Sequence, residues 1–374
     1  MPSAGATPKG TSEREWQVTA FGDPGKVGFA YDVVRASAGF VAVGVQFSGR
    51  LPNLGPSPPH EGRIWLSADG ISWQDTTPSE IFTNVSLDEL FVRADGTLVV
   101  LGWISAPTEF EPPTRGAWES TDGRAWQSAA TGVPAGAVIV EHGDKGYLAL
   151  VRPSVAAHES ELWHSADGRT WELVRQLMDG AYATGAGDEG FVVVGSVGPP
   201  DQSTWESFGI ASADGREWFE SSRPPPSAIR LASLGGDWIA ISYAFGLGPL
   251  PSESQIWFSA DGLDWAPHGD INLEQVPIPG SICTEYPSGL NSAGGWLVMG
   301  STLSYPCSEG GYVVYGTQQI SDDGESWVPV PFESAIVGVS GSGSHVNAAA
   351  DDDDSLVLVG QMNNQAAFWS RALR

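Results

Sequence analysis

A chain of 374 residues with 47 glycines, 16 tryptophans and only 17% charged side chains has a turn-rich β composition, which excludes a helical bundle. Forty-five acidic side chains against 18 basic ones give a net charge of −27, with lysine only at Lys9, Lys26 and Lys145. That balance repels phosphate backbones and anionic headgroups, so nucleic acid and membrane surfaces are excluded as partners, and no run of about 18 apolar residues offers membrane insertion.

Residues 1–12 are rich in Pro, Gly, Ser and Thr and are expected to form a disordered leader. Two origins stand for it: a linker behind a removed export signal or lipid anchor, or a cytoplasmic start. EREWQVTAF (13–21) is a lone strand around Trp16 with nothing before it. From there two signals alternate along the chain. The first is a short buried strand, often closed by glycine. The second is a Trp-x-Ser-x-Asp-Gly-x-x-Trp hairpin. GFVAVG (39–44) precedes RIWLSADGISWQD (63–75), TLVVLG (97–102) precedes GAWESTDGRAWQS (116–128), and GYLALV (146–151) precedes ELWHSADGRTWEL (161–173). GFVVVG (190–195) precedes FGIASADGREWFE (208–220), DWIAIS (237–242) precedes QIWFSADGLDWAP (255–267), and GWLVMG (295–300) precedes QQISDDGESWVPV (318–330). SLVLVG (355–360) comes last, followed by AAFWSRALR and no hairpin.

The first signal therefore occurs seven times and the second six. Successive hairpin tryptophans lie 45 to 62 residues apart, a period that indicates a propeller or another array. The mismatch is resolved if the lone strand at 13–21 completes the last unit. The expectation is one domain over 13–374: an all-β, seven-bladed β-propeller of four-stranded antiparallel blades, with strands A to D running outward. The last blade would be closed by three C-terminal strands and the N-terminal one. Losing residues 13–20 would then destabilise the whole ring.

Asp-Gly is a strong hairpin signal, and the serine two residues earlier can satisfy further turn donors. With Asp69, Asp122, Asp167, Asp214, Asp261 and Asp323 at its centre, the repeat resembles the Asp-box (BNR) repeats of sialidase-type propellers. It departs from them by one residue, since Asp and Gly are adjacent here. The resemblance implies that these aspartates lock turns at the outer edge of one face.

Turns A–B and C–D share that face and are tight throughout. The B–C and D–A connections at the other face are long, for example 45–63, 103–116 and 268–283. Long insertions confined to one face point to a ligand site there. The starts of strand A line the central channel, which selects Tyr31, Asp32, Asp88, Tyr182, Arg230, Glu285, His345 and Asn347 as candidate ligand residues. Trp205, Tyr243 and Tyr305, with Phe47, stand at the rim, where they either stack on sugar rings or pack the loops.

Cys283 and Cys307 fall in loops of one blade at this face. A disulfide between them fits an oxidising compartment; two free buried thiols are the alternative. The cysteine and histidine spacing offers no metal site, and GAGDEG (185–190) is a turn without a following helix, so no cofactor is expected. DDDD (351–354) is a solvated turn or a calcium loop. The sialidase arginine triad has no counterpart, as Arg35 and Arg93 fall toward the wrong face. Taken together, the sequence points to a secreted or cell-surface monomer that binds a glycan or protein ligand on the loop face. A carbohydrate-active hydrolase or lyase with its site at the channel mouth is the alternative.

Overall fold

A computed structural model describes residues 16–22, 25–49, 58–78, 80–106, 113–130, 132–152, 159–177, 180–197, 206–226, 228–243, 254–270, 284–304, 314–330, 345–352, 354–362 and 364–373. No helix occurs among them. The strands fall into four-stranded antiparallel sheets of sequential order. After β1 (Gln17–Phe21), blade 1 holds β2 (Val27–Ala36), β3 (Gly39–Phe47), β4 (His60–Ser67) and β5 (Trp73–Asp75). Blade 2 holds β6 (Val85–Val92), β7 (Leu98–Ile104), β8 (Thr114–Ser120) and β9 (Gln127–Ser128). Blade 3 is β10 (Ala137–Gly143), β11 (Gly146–Val151), β12 (Ser160–Ser165) and β13 (Glu172–Leu177). Blade 4 is β14 (Ala181–Gly187), β15 (Gly190–Val197), β16 (Glu206–Ser212) and β17 (Phe219–Glu220). Blade 5 is β18 (Ala228–Leu234), β19 (Asp237–Tyr243), β20 (Ser254–Ser259) and β21 (Ala266–Asp270). Blade 6 is β22 (Thr284–Ala293), β23 (Trp296–Ser304), β24 (Val314–Ser321) and β25 (Val328–Pro329). Blade 7 combines β26 (His345–Asp351), β27 (Ser355–Met362) and β28 (Gln365–Ala372) with β1.

The chain is a seven-bladed β-propeller. Its closure is the expected three-plus-one arrangement: β1 runs antiparallel to β28, with Val18 opposite Trp369 and Thr19 opposite Phe368. Trp16 packs with Trp369 in the wedge between blades 6 and 7.

Apolar side chains lie between blades and not around one centre. Alternation along each B strand explains this, since successive residues face opposite neighbours. In β3, Phe40 and Ala42 pack toward blade 7, while Val41 and Val43 pack toward blade 2. Each of the seven interfaces between blades has such a cluster. Burying strand B on both faces is why it is written as an unbroken apolar run.

The hairpins behave as the resemblance implies. Asp167 Oδ1 accepts the amides of Arg169 and Thr170, both at 2.8 Å, and the Ser165 hydroxyl at 3.1 Å. Asp69, Asp122, Asp214, Asp261 and Asp323 repeat this pattern. The following glycines, such as Gly70 and Gly168, sit at φ of 72° and 71°, where a side chain would be strained. In four hairpins the closing indole also donates to the turn, as Trp73 does to the Gly70 carbonyl at 2.9 Å.

A feature absent from the sequence expectations recurs on the innermost strands. Every A strand steps two residues against one on strand B, so each carries a β-bulge. The extra residues are Tyr31, Asp88, Val138, Tyr182, Ile229, Ser288 and Asn347. In five blades a B-strand glycine stands at the step: Gly44, Gly102, Gly195, Gly300 and Gly360. A Cβ on Gly44 would run into the Phe29 carbonyl oxygen, and one on Gly195 into that of Gly180. The glycine that closes the buried runs is thus the partner of the bulge.

Candidate functional site

The bulges ring the channel at one level. From that level a cavity of about 590 Å³ extends toward the A–B turns. Its wall includes Tyr31, Asp32, Asp88, Glu89, Glu141 and Asn347. Several of these also bridge blades. Asp32 Oδ2 accepts the Leu90 amide at 2.7 Å, and Asn347 Nδ2 donates to the Ala30 carbonyl at 2.7 Å. Asn291 Nδ2 donates to the Asn347 carbonyl at 3.2 Å, and Thr184 Oγ1 donates to Glu141 Oε1 at 3.0 Å.

The acids of blades 1 to 3 share an environment short of water. Desolvation raises Asp32 to about 7, against the pull of the Leu90 and Val33 amides. Desolvation also raises Glu141 to about 7, opposed by Thr184. Glu89 is pushed well above the carboxylate range, first by desolvation and then by the charges of Asp32 and Asp88. All three keep part of their surface on the cavity, so channel water offsets some of this effect. Burial and the neighbouring Asp88 raise Tyr31 to about 12, and desolvation lowers His142, whose exposed surface lets solvent offset part of the effect.

Asp88 has a cation of its own. Arg115 Nη1 contacts both its oxygens, at 2.6 and 2.7 Å, after crossing the Trp103 ring at 4.7 Å. Desolvation still raises Asp88, with Arg115 opposing. On the blade 1 side, Tyr31 stacks on Phe29 at 5.7 Å and 7°, and Phe29 meets Phe47 edge-on. Tyr31, Trp103 and Asp88 are each half-buried. Rings and a carboxylate–guanidinium pair therefore meet where the channel turns toward the long loops.

Four sequence candidates, Tyr31, Asp32, Asp88 and Asn347, come together on the cavity wall. Arg230 follows the blade 5 bulge, at the level of Asp32 and Glu89, and desolvation lowers it. Tyr182, Tyr243, Glu285 and His345 lie on β14, β19, β22 and β26 by backbone; their side chains are outside the description. Trp205, Tyr305, Cys283 and Cys307 lie outside the described residues. The long loops do so in large part, and the described cavity occupies the opposite half of the channel. Arg93, just past the end of β6, is held between blades by Glu119 and the Gly168 carbonyl, away from the cavity, whereas Arg35 near the end of β2 lines the cavity. At the acidic turn, Asp352 accepts the Asp354 and Ser355 amides and pairs with Arg35. Sequence reasoning missed Glu89, Glu141, His142, Trp103 and Arg115. Glu89 was within reach, because it follows the selected Asp88 and stands level with the selected Asp32.

No family model and no curated protein matches this chain. Solved structures do. The β-propeller domain of the trilobed protease from Pyrococcus furiosus has a TM-score of 0.50 at 10% identity, covering 93% of this chain and 96% of that one. Pyrococcus horikoshii acylaminoacyl peptidase also has a TM-score of 0.50, at 11% identity over 93% of this chain and 52% of the other. Polysaccharide lyase Uly1 follows at 0.49 and 10%, over 77% and 76% of the two chains. With the first two the shared feature is the propeller fold. Its closure differs, since the Pyrococcus furiosus domain has an open velcro topology and here β1 seals the ring.

Proposed function

We propose that this propeller is an exported, monomeric carbohydrate-binding protein that holds a glycan at the channel mouth. On this view the Ser-x-Asp-Gly-x-x-Trp turns are Asp-box repeats of a binding scaffold. The observation that carries the proposal is the Asp88–Arg115 pair set between the half-buried rings of Tyr31 and Trp103. Sugars present apolar ring faces and fixed pairs of hydroxyls. Aromatic faces beside charged, oriented polar groups suit both. The acidic, lysine-poor surface supports a soluble monomer outside the cell.

A glycan array probed with the full chain tests this. Binding is expected, with a loss of roughly tenfold or more in affinity for Trp103→Ala and Arg115→Ala. Array silence, with both variants folded by circular dichroism, would overturn the glycan assignment in favour of a protein ligand.

The second reading, a glycoside hydrolase or lyase, draws on Asp32 and Glu141 held near neutrality, where a carboxyl can act as acid or base. Turnover of a chromogenic glycoside or an unsaturated-product assay, abolished by Glu141→Gln with binding retained, would favour it.

A further inference from the structure

The cavity has an entrance of its own, away from the long loops. It runs from the level of Tyr31, Asp88 and Asn347 to Arg35 and Ser292, which lie near the ends of two A strands. From Asp32 to Arg35 is about 10 Å of strand. Arg35, His142 and Ser292 are exposed at that end, so the cavity opens on the tight-turn face. Its volume of about 590 Å³ suits a small molecule. Its two sides differ. The acids stand on blades 1 to 3, whereas blades 4 and 5 contribute Gly185, Ala186, Leu231 and Ala232.

Polar groups on this wall have hydrogen-bonding capacity to spare. Asn291 and Asn347 each donate through Nδ2 but accept nothing at Oδ1 among the described residues, and the Tyr31 hydroxyl and Glu89 carboxyl have no hydrogen-bond partner there. None of these atoms is closed to solvent. The set is mixed: carboxamide oxygens accept, while a phenol and a protonated carboxyl donate. Desolvation holds Glu89 well above the carboxylate range and Asp32 and Glu141 at about 7, so near pH 6 the wall carries little charge beyond the Asp88–Arg115 pair. A cation finds little counter-charge there, and no three metal-ligating side chains converge among the described residues. An anion would meet carboxyls on three blades. A purely apolar ligand would leave the polar groups unanswered. Hydroxyls both donate and accept, so neighbouring hydroxyls on one ring answer the mixed set.

We propose that the channel holds a neutral monosaccharide that enters from the tight-turn face, with its hydroxyls on Tyr31, Glu89, Asn291 and Asn347 and its C–H face against blades 4 and 5. The placement of these groups supports one occupant. Asn291, Asn347, Tyr31 and Glu89 stand on blades 6, 7, 1 and 2, which are consecutive around the ring, and blades 4 and 5 face that arc. Hydrogen bonds between blades fix the arc in advance: Asn291 to the Asn347 carbonyl, Asn347 to the Ala30 carbonyl, and the Leu90 amide to Asp32. This site goes beyond the glycan assignment above. That glycan meets the long-loop end at Trp103 and Arg115, and neither residue lines the cavity.

The test is saturation-transfer NMR titration of the full chain at pH 6 with methyl glycosides of glucose, galactose and mannose, and with glucosamine and glucuronic acid as charged controls. At least one neutral hexose is expected to bind, about tenfold or more tighter than either charged sugar. Glu89→Ala should weaken it about tenfold, whereas Glu89→Gln keeps a neutral donor and acceptor and should retain it. Ser292→Trp at the exposed rim should block hexose binding and spare glycan-array binding at the long-loop end. If that variant does not fold, shifts of the Asn291 and Asn347 side-chain amides on titration of the wild-type chain decide. Binding of no neutral hexose, equal or tighter binding of a charged sugar, or hexose binding that survives Ser292→Trp overturns the cavity proposal and leaves the glycan assignment standing. Hexose binding blocked by Ser292→Trp in a chain silent on the array supports the cavity site and overturns the glycan assignment instead.

Discussion

At the level of single residues, the six hairpin aspartates and the channel acids are opposites. Backbone amides hold Asp69, Asp122, Asp167 and Asp214 below the usual carboxylate range. At Asp261 and Asp323 desolvation is the largest effect, and the amides with the serine hydroxyl still outweigh it. Removing such an acceptor frees two amides and a hydroxyl. Asp167→Ala is expected to lower stability by about 1 kcal/mol, seen as a fall in denaturant midpoint at constant m-value. The channel acids are shifted upward instead, and the stability signs follow. Asp32 and Glu141 bind protons more tightly folded than unfolded, so their contribution is fully present below the unfolded carboxylate range and is lost as pH rises through about 7. The hairpin aspartates contribute above that range, and their contribution is lost as pH falls below it. Thermal midpoints measured from pH 4 to 8 should therefore peak at mildly acidic pH. Glu141→Gln should flatten the alkaline side.

At the level of elements, the bulge on strand A positions the site. The extra residue moves Asp88 out of the ladder and within reach of Arg115, two strands away. Gly44→Ala places a methyl group on the Phe29 carbonyl, so it should cost roughly 1–3 kcal/mol and displace Tyr31. Chemical denaturation together with the loss of Tyr31–Phe29 stacking in aromatic proton shifts would measure this. The same element explains what the sequence could show. Buried B strands and Asp-Gly hairpins are local, periodic signals, so blade number and strand order were legible. Tyr31, Asp32, Asp88 and Asn347 were legible as strand A residues. Arg115 was not, because its pairing with Asp88 depends on a register step between strands. Glu141 lies in VEHG, which reads as an ordinary exposed turn approach until the neighbouring Thr184 is placed against it.

At the level of the whole molecule, stability is shared among seven wedges and one seam. The seam is well furnished: Phe368 stacks on Trp73 at 4.3 Å, Gln361 donates to the Gly28 carbonyl, and Asn347 donates to that of Ala30. Deleting residues 16–21 exposes the outer edge of β28 and the apolar surface of the wedge beside it. Hydrogen exchange should then accelerate in blades 1 and 6 as well as blade 7. Acceleration confined to blade 7 would mean that the seam is not a structural keystone.

The bulge ring also separates two demands that usually compete. A residue outside the ladder contributes little to strand pairing, so where it makes no bond to a neighbouring blade its side chain can be exchanged with small effect on folding. Seven such positions lie on the innermost strands, each on a different blade, and three of them, Tyr31, Asp88 and Asn347, line the cavity. The scaffold thus offers a combinatorial palette: rewriting positions 31 and 88 should retune what the channel accepts while the wedges keep the wheel intact.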